Sequence, residues 1–115
     1  MAKKILIVDD NVSWRNGMKD IAQQLGYTPT AVDFVDVRPY LDRQFDIALI
    51  SGDKEHNRDS DWRDVYNSLV NVSERIVFSS DAGRVIAAQN EGYYAFKRDL
   101  RLVHHIDKVL TETGK

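Results

Sequence analysis

The 115-residue chain reads as an α/β domain built on a five-stranded, doubly wound parallel sheet, and three observations lead there. Its apolar residues come in short unbroken runs, such as Ile5-Leu6-Ile7-Val8 and Ile47-Ala48-Leu49-Ile50, which suit strands buried on both faces. Between such runs, apolar residues recur at the helical period. Strands alternating with helices then imply right-handed crossovers and a parallel sheet.

The elements follow in order. Ile5 to Val8 is the first strand, and Asp10 and Asn11 can cap the helix after it. Val12, Met18, Ile21, Ala22 and Leu25 lie at helical spacing until Gly26 stops the helix. Thr28 to Val32 is a short second strand, placed near a sheet edge by Pro29, which has no N–H for a central ladder. A short helix is expected from Asp36 to Arg43, with Pro39 tolerated only in its first turn. Ile47 to Ile50 is the third strand, and the polar stretch Ser51 to Asp61 is a solvated loop. Trp62, Val65, Tyr66 and Leu69 mark a helix capped by Ser60 or Asp61. Ile76-Val77-Phe78 is a fourth strand ending in Ser79-Ser80. Val85 to Ala88 suggest a short helix and Tyr94-Ala95-Phe96 a fifth strand. Asp99 caps a last helix with Leu100, Val103, Ile106, Val109 and Leu110 along one face.

Residues 1–115 form a single domain, with no linker or repeat. Sixteen basic against eighteen acidic residues give a net charge of -2, which selects no polyanionic partner, so no nucleic acid is expected. Cysteine is absent, which removes disulfides, thiolate metal sites and a cysteine nucleophile. No apolar run reaches the length of a membrane span, and the start of the chain is no signal peptide, so no membrane partner and a cytoplasmic location are expected. Arg98, Arg101, His104, His105 and Lys108 make a basic, solvated helix face. His104 and His105 point about 100° apart and cannot share a metal from one face. Trp14, early in the first helix, is expected near the rim of any site at the strand ends.

Ligands of a doubly wound sheet bind at the carboxyl ends of its strands. The residues expected there are Asp9, Asp10, Ser51, Ser80 and Lys97: two carboxylates, two hydroxyls and an amine converging from four strands.

Lys3-Lys4-Ile5-Leu6-Ile7-Val8-Asp9-Asp10-Asn11 and Phe45-Asp46-Ile47-Ala48-Leu49-Ile50-Ser51-Gly52-Asp53 together resemble the receiver domain of two-component response regulators, and the resemblance covers essentially the whole chain. It implies a flavodoxin-like sheet of order 2-1-3-4-5 and a non-enzymatic signalling role, with a histidine kinase or a downstream effector as partner. It implies that Asp9 and Asp10 match the Mg2+-binding acidic pair and that Ser80 contacts the phosphoryl oxygen. By the same resemblance Lys97 pairs with the phosphoryl group, and Tyr94 is the aromatic residue that changes rotamer on activation. Three features depart from the family. Ser51 stands where the phospho-accepting aspartate belongs, Arg98 replaces the proline after the lysine, and the stretch from Ser80 to Lys97 is about one helical turn short.

The serine changes the chemistry. An aspartate attacks as a carboxylate already ionised and assisted by Mg2+. Serine is neutral at pH 7, forms no acyl phosphate, and needs a base before it becomes a nucleophile. One carboxylate of three is also lost from the Mg2+ site, so no cofactor is required and Mg2+ binding at Asp9 and Asp10 is expected to be weak. Lys97 is expected to form an ion pair with Asp9 or Asp10 instead. The chain is therefore expected to act as a pseudo-receiver through protein–protein contacts. Two alternatives stand beside this reading. Asp53, two residues on and next to permissive Gly52, is a displaced acceptor in a working phosphorelay. The other is a flavodoxin-like small-ligand-binding protein, although no Gly-rich phosphate loop follows the first strand.

Overall fold

The computed structural model describes residues 3–52 and 61–97. Five strands, β1 (Lys4–Val8), β2 (Thr28–Val32), β3 (Phe45–Ser51), β4 (Val72–Ser79) and β5 (Ala95–Lys97), pair in parallel in the order β2-β1-β3-β4-β5. Among the described residues, three α-helices, α1 (Val12–Gln24), α2 (Asp61–Ser68) and α3 (Ala82–Asn90), lie between them. The sheet order and the α/β architecture are those expected from the sequence.

The unbroken apolar runs split by alternation into two cores. Ile5, Ile7, Ile47, Leu49, Ile76 and Phe78 pack with Met18 and Ala22 of α1 on one face. Leu6, Val8, Ala48, Ile50 and Val77 pack on the other with Trp62 and Val65 of α2, Leu69 just beyond it, and Ala88 of α3. β1 and β3 carry both cores and are buried almost throughout.

Local signals set the boundaries. The Asn11 carboxamide accepts from the Trp14 N–H at 2.9 Å and starts α1; Gly26, at φ 90°, turns the chain after it. In β2, the bonds Thr28 N–H to Lys3 O (2.8 Å) and Asp9 N–H to Val32 O (3.1 Å) turn positions 28 and 32 toward β1. Alternation then aims Pro29 at the open edge, where its missing N–H costs nothing and blunts strand addition.

Three expectations are corrected. The helix expected over Asp36 to Arg43 is replaced by two 3-10 turns, Phe34–Asp36 and Arg38–Tyr40. Pro39 has no N–H to continue an α ladder, and the chain closes short bonds instead, Tyr40 N–H to Val37 O at 2.9 Å and Leu41 N–H to Arg38 O at 3.2 Å. β4 begins four residues earlier than its apolar run, at Val72. Its charged half is accommodated because the Arg75 guanidinium lies 5.0 Å over the Tyr66 ring and donates to Tyr66 O at 2.9 Å. β5 is shifted by one residue, to Ala95–Lys97, although Tyr94 O still accepts from the Val77 N–H. The last expected helix, from Asp99, lies outside the described residues.

Phe78 is wholly buried in the α1-side core, whereas Val35 is largely exposed. Phe78→Ala is expected to lower unfolding free energy by about 3–5 kcal/mol, and Val35→Ala to change it by less than about 0.5 kcal/mol. Urea denaturation of both variants measures the contrast.

Candidate functional site at the strand ends

Parallel pairing brings the carboxyl ends of the strands to one edge of the sheet. Val8 is opposite Ile50, so Asp9 and Ser51 are the next residues on adjacent strands; farther along, Ser51 is opposite Phe78 and Ser79 opposite Lys97. Among the described residues, the buried polar or charged side chains are those of Asp9, Ser51 and Ser79, at 0%, 1% and 3% exposure. All three stand at the ends of β1, β3 and β4. Burying polar groups costs free energy that apolar residues would not, so their concentration at one edge marks it as the candidate site.

The acidic end is tied down by backbone and by α1. Asp9 Oδ1 accepts from the Asn11 N–H at 2.9 Å. Arg15 donates through Nη1 to Asp9 O at 2.9 Å, and the same atom lies 3.9 Å from Asp33 Oδ2. Arg15 thus braces the end of β1 against the turn that follows β2. Asp10 is half-buried next to it, and Trp14 is half-buried in the first turn of α1.

Ser51 belongs to β3 itself and is buried, so it is not part of a solvated loop as expected. Gly52 follows because β4 crowds it: a Cβ there would lie 3.1 Å from Val77 Cγ2, and the Gly52 N–H donates to Phe78 O at 2.7 Å. Asp53 lies outside the described residues. The expected strand-end serine is also displaced by one. β4 ends at buried Ser79, whose Oγ accepts from the Asp81 N–H at 3.1 Å, whereas Ser80 is exposed in the turn. Two consecutive serines leave the register open by one residue, and one residue reverses the face.

Lys97 ends β5 and is exposed. The ion pair expected between Lys97 and Asp9 or Asp10 does not form among the described residues. The sheet order explains this: β3 and β4 separate β1 from β5, a backbone gap of roughly 14 Å at ordinary strand spacing. Tyr94 precedes β5, 48% exposed, with its ring 5.3 Å from that of Phe96.

Beside this edge, α2 is clamped to the end of α3. Arg63 makes two bonds to Glu91, Nε to Oε1 at 3.0 Å and Nη2 to Oε2 at 2.7 Å, and its guanidinium stacks 4.4 Å over the Trp62 ring. Tyr93 meets Trp62 and Tyr66 edge-on, at 4.8 Å and 4.9 Å, and accepts a bond from Asn67 Nδ2 at 3.3 Å. Between α2, α3 and the end of β4 lies a cavity of about 140 Å³, bordered by Gly52, Trp62, Ser79, Arg84, Val85 and Ala88. Helical periodicity shows that Trp62 and Val85 face inward but not that they leave a space between them, so sequence reasoning missed both features.

No family model and no curated protein matches the chain. Solved structures do. A response regulator from Thermotoga maritima superposes with a TM-score of 0.72 at 13% identity, covering 96% of this chain and 99% of that one. A response regulator protein from Burkholderia multivorans gives 0.61 at 18% identity, covering 96% of each chain. A de novo designed Rossmann 2x3 fold protein gives 0.68 at 15% identity, covering 97% of this chain and 91% of that one. A designed chain thus matches about as well as the natural regulators. The likeness establishes the fold, and function must be argued from the site.

The clamp has a pH signature. Hydrogen bonds from Arg63 hold the Glu91 carboxyl below the usual carboxylate range, and the same bonds raise the Arg63 guanidinium, which stays charged. A depressed folded-state carboxyl stabilises the protein above its unfolded value and loses that contribution as pH falls through the folded one. Glu91→Gln is expected to lower the urea midpoint modestly at pH 7, as befits an exposed pair, and the gap from the wild type should close as the pH is taken down through the carboxylate range.

Proposed function

We propose that this chain is an atypical receiver domain that acts in signal transduction through protein–protein contacts, without phosphorylation at position 51. The receiver-type fold and the likeness to response regulators support the signalling role. The observation that carries the finer reading is the buried hydroxyl of Ser51 at the end of β3, adjacent to buried Asp9. A carboxylate there would be ready to attack a phosphoryl donor; a neutral hydroxyl needs a base and yields no acyl phosphate.

The donor set does not fit a tight Mg2+ site. Asp9 and Asp10 supply two carboxylates and Ser51 only a hydroxyl, one Asp9 oxygen already accepts the Asn11 N–H, and among the described residues no three His, Cys, Asp or Glu side chains group to hold a metal. Mg2+ demands octahedral oxygen ligation and dehydrates reluctantly. Output then depends on which conformation a partner selects, not on phosphate. The partner is a signalling protein of the kinase or effector class, met in the cytoplasm.

Intact mass after incubation with Mg2+ and acetyl phosphate tests the reading, and the expected result is an unmodified protein. One added phosphoryl group, lost in Asp53→Asn and retained in Ser51→Ala, would replace it with a phosphorelay that uses the displaced acceptor. A Mg2+ titration is expected to leave the site unsaturated at physiological concentration; saturation well below that level would restore a working metal site.

A further inference from the structure

The cavity between α2 and α3 adjoins the strand-end site at Gly52 and Ser79, but Asp9 and Ser51 do not line it. Its floor is apolar, with Val77, Ala88 and Ala95 buried and Val85 and Ala87 nearer solvent, and Ser79 adds a buried hydroxyl at the end of β4. Arg63 and Arg84 stand at its border. Arg63 is committed to Glu91 by two short bonds. Arg84 is not committed in this way: among the described residues its guanidinium has one ionic neighbour, Asp81, at 3.9 Å from Nε and beyond hydrogen-bonding distance. Asp81 spends its Oδ1 on the Gly83 and Arg84 N–H groups at the start of α3.

Size narrows the ligand. The volume, about 140 Å³, is close to the roughly 150 Å³ of an engineered apolar cavity that accepts benzene. It is well below the about 300–1,000 Å³ typical of sites for larger ligands. A single ring or a branched chain of similar bulk fits that volume, whereas a nucleotide or flavin would extend beyond it into solvent. An apolar floor with a few convergent polar groups is the usual form of a small-ligand site, and a forked guanidinium is matched by a carboxylate.

We propose that this cavity binds a small monocarboxylate with an apolar body of single-ring size, its ring against Val77, Val85 and Ala88 and its carboxylate on Arg84. The site stands independently of whether the chain signals without phosphate. Because Gly52 and Ser79 border it, occupancy would be felt at the ends of β3 and β4.

The test is a titration of the full chain with sodium benzoate, followed by amide resonances at constant ionic strength, with benzamide as the neutral isostere. Benzoate is expected to shift the Val77, Ser79, Arg84 and Ala88 amides saturably, with millimolar affinity. Benzamide, and benzoate with Arg84→Gln, should each bind about tenfold more weakly, the scale of one charge-assisted hydrogen bond. Arg84 is exposed, so the variant is expected to keep the wild-type spectrum away from the cavity. Unmoved cavity amides, benzamide binding as well as benzoate, or an unchanged affinity in Arg84→Gln would each overturn the assignment. None of these outcomes bears on the intact-mass result, so the two readings fail separately.

Discussion

The in-register parallel pairing of β1, β3 and β4 is the constraint on which the rest of the structure depends. These strands are apolar on both faces in their carboxyl halves, so each must be covered on both sides, and only crossover helices can do that in a parallel sheet. Once Val8 is set against Ile50 and Ile50 against Val77, the strands end at nearly one level. Asp9, Ser51 and Ser79 are buried there because register leaves them nowhere else to go. A slip of one residue would turn Ile5 and Ile7 out of the α1-side core.

The same pairing decides what the site can do. Asp9 and Ser51 are neighbours, whereas Lys97 is held three strands from Asp9. Among the described residues, Arg15 reaches the end of β1, at the Asp9 carbonyl oxygen. The strand ends thus gather two carboxylates and buried hydroxyls on β1, β3 and β4, with the lysine of β5 farther off. That a designed protein shares the fold about as closely as two natural regulators makes the point independently: the sheet provides the frame, and the side chains on its rim carry the function.

The α2 side adds a second layer. Tyr93 between Trp62 and Tyr66, and Arg63 on Glu91, join α2 to the turn that leads into β5. Tyr94 begins where that clamp ends, so aromatic packing against α2 anchors the turn ahead of the strand carrying Lys97. The small Ala87 and Ala88 of α3 and the larger Trp62 and Arg63 of α2 border that cavity.

Much of this was legible in the residues alone. The runs Ile5–Val8 and Ile47–Ile50, the helix from Val12 to its stop at Gly26, and the edge strand at Pro29 follow from period, punctuation and backbone chemistry, which are local properties. So does the absence of a carboxylate at position 51, which needs only the identity of one residue. Tertiary structure decided what depends on neighbours distant in sequence. The choice of Ser79 over Ser80 came from pairing with β5, and the extension of β4 through Glu74 and Arg75 came from β3 and from the Tyr66 ring. Arg63 found Glu91 twenty-eight residues away. Periodicity reports which face of an element is apolar, whereas register, ion pairs and cavities arise only where two such faces meet.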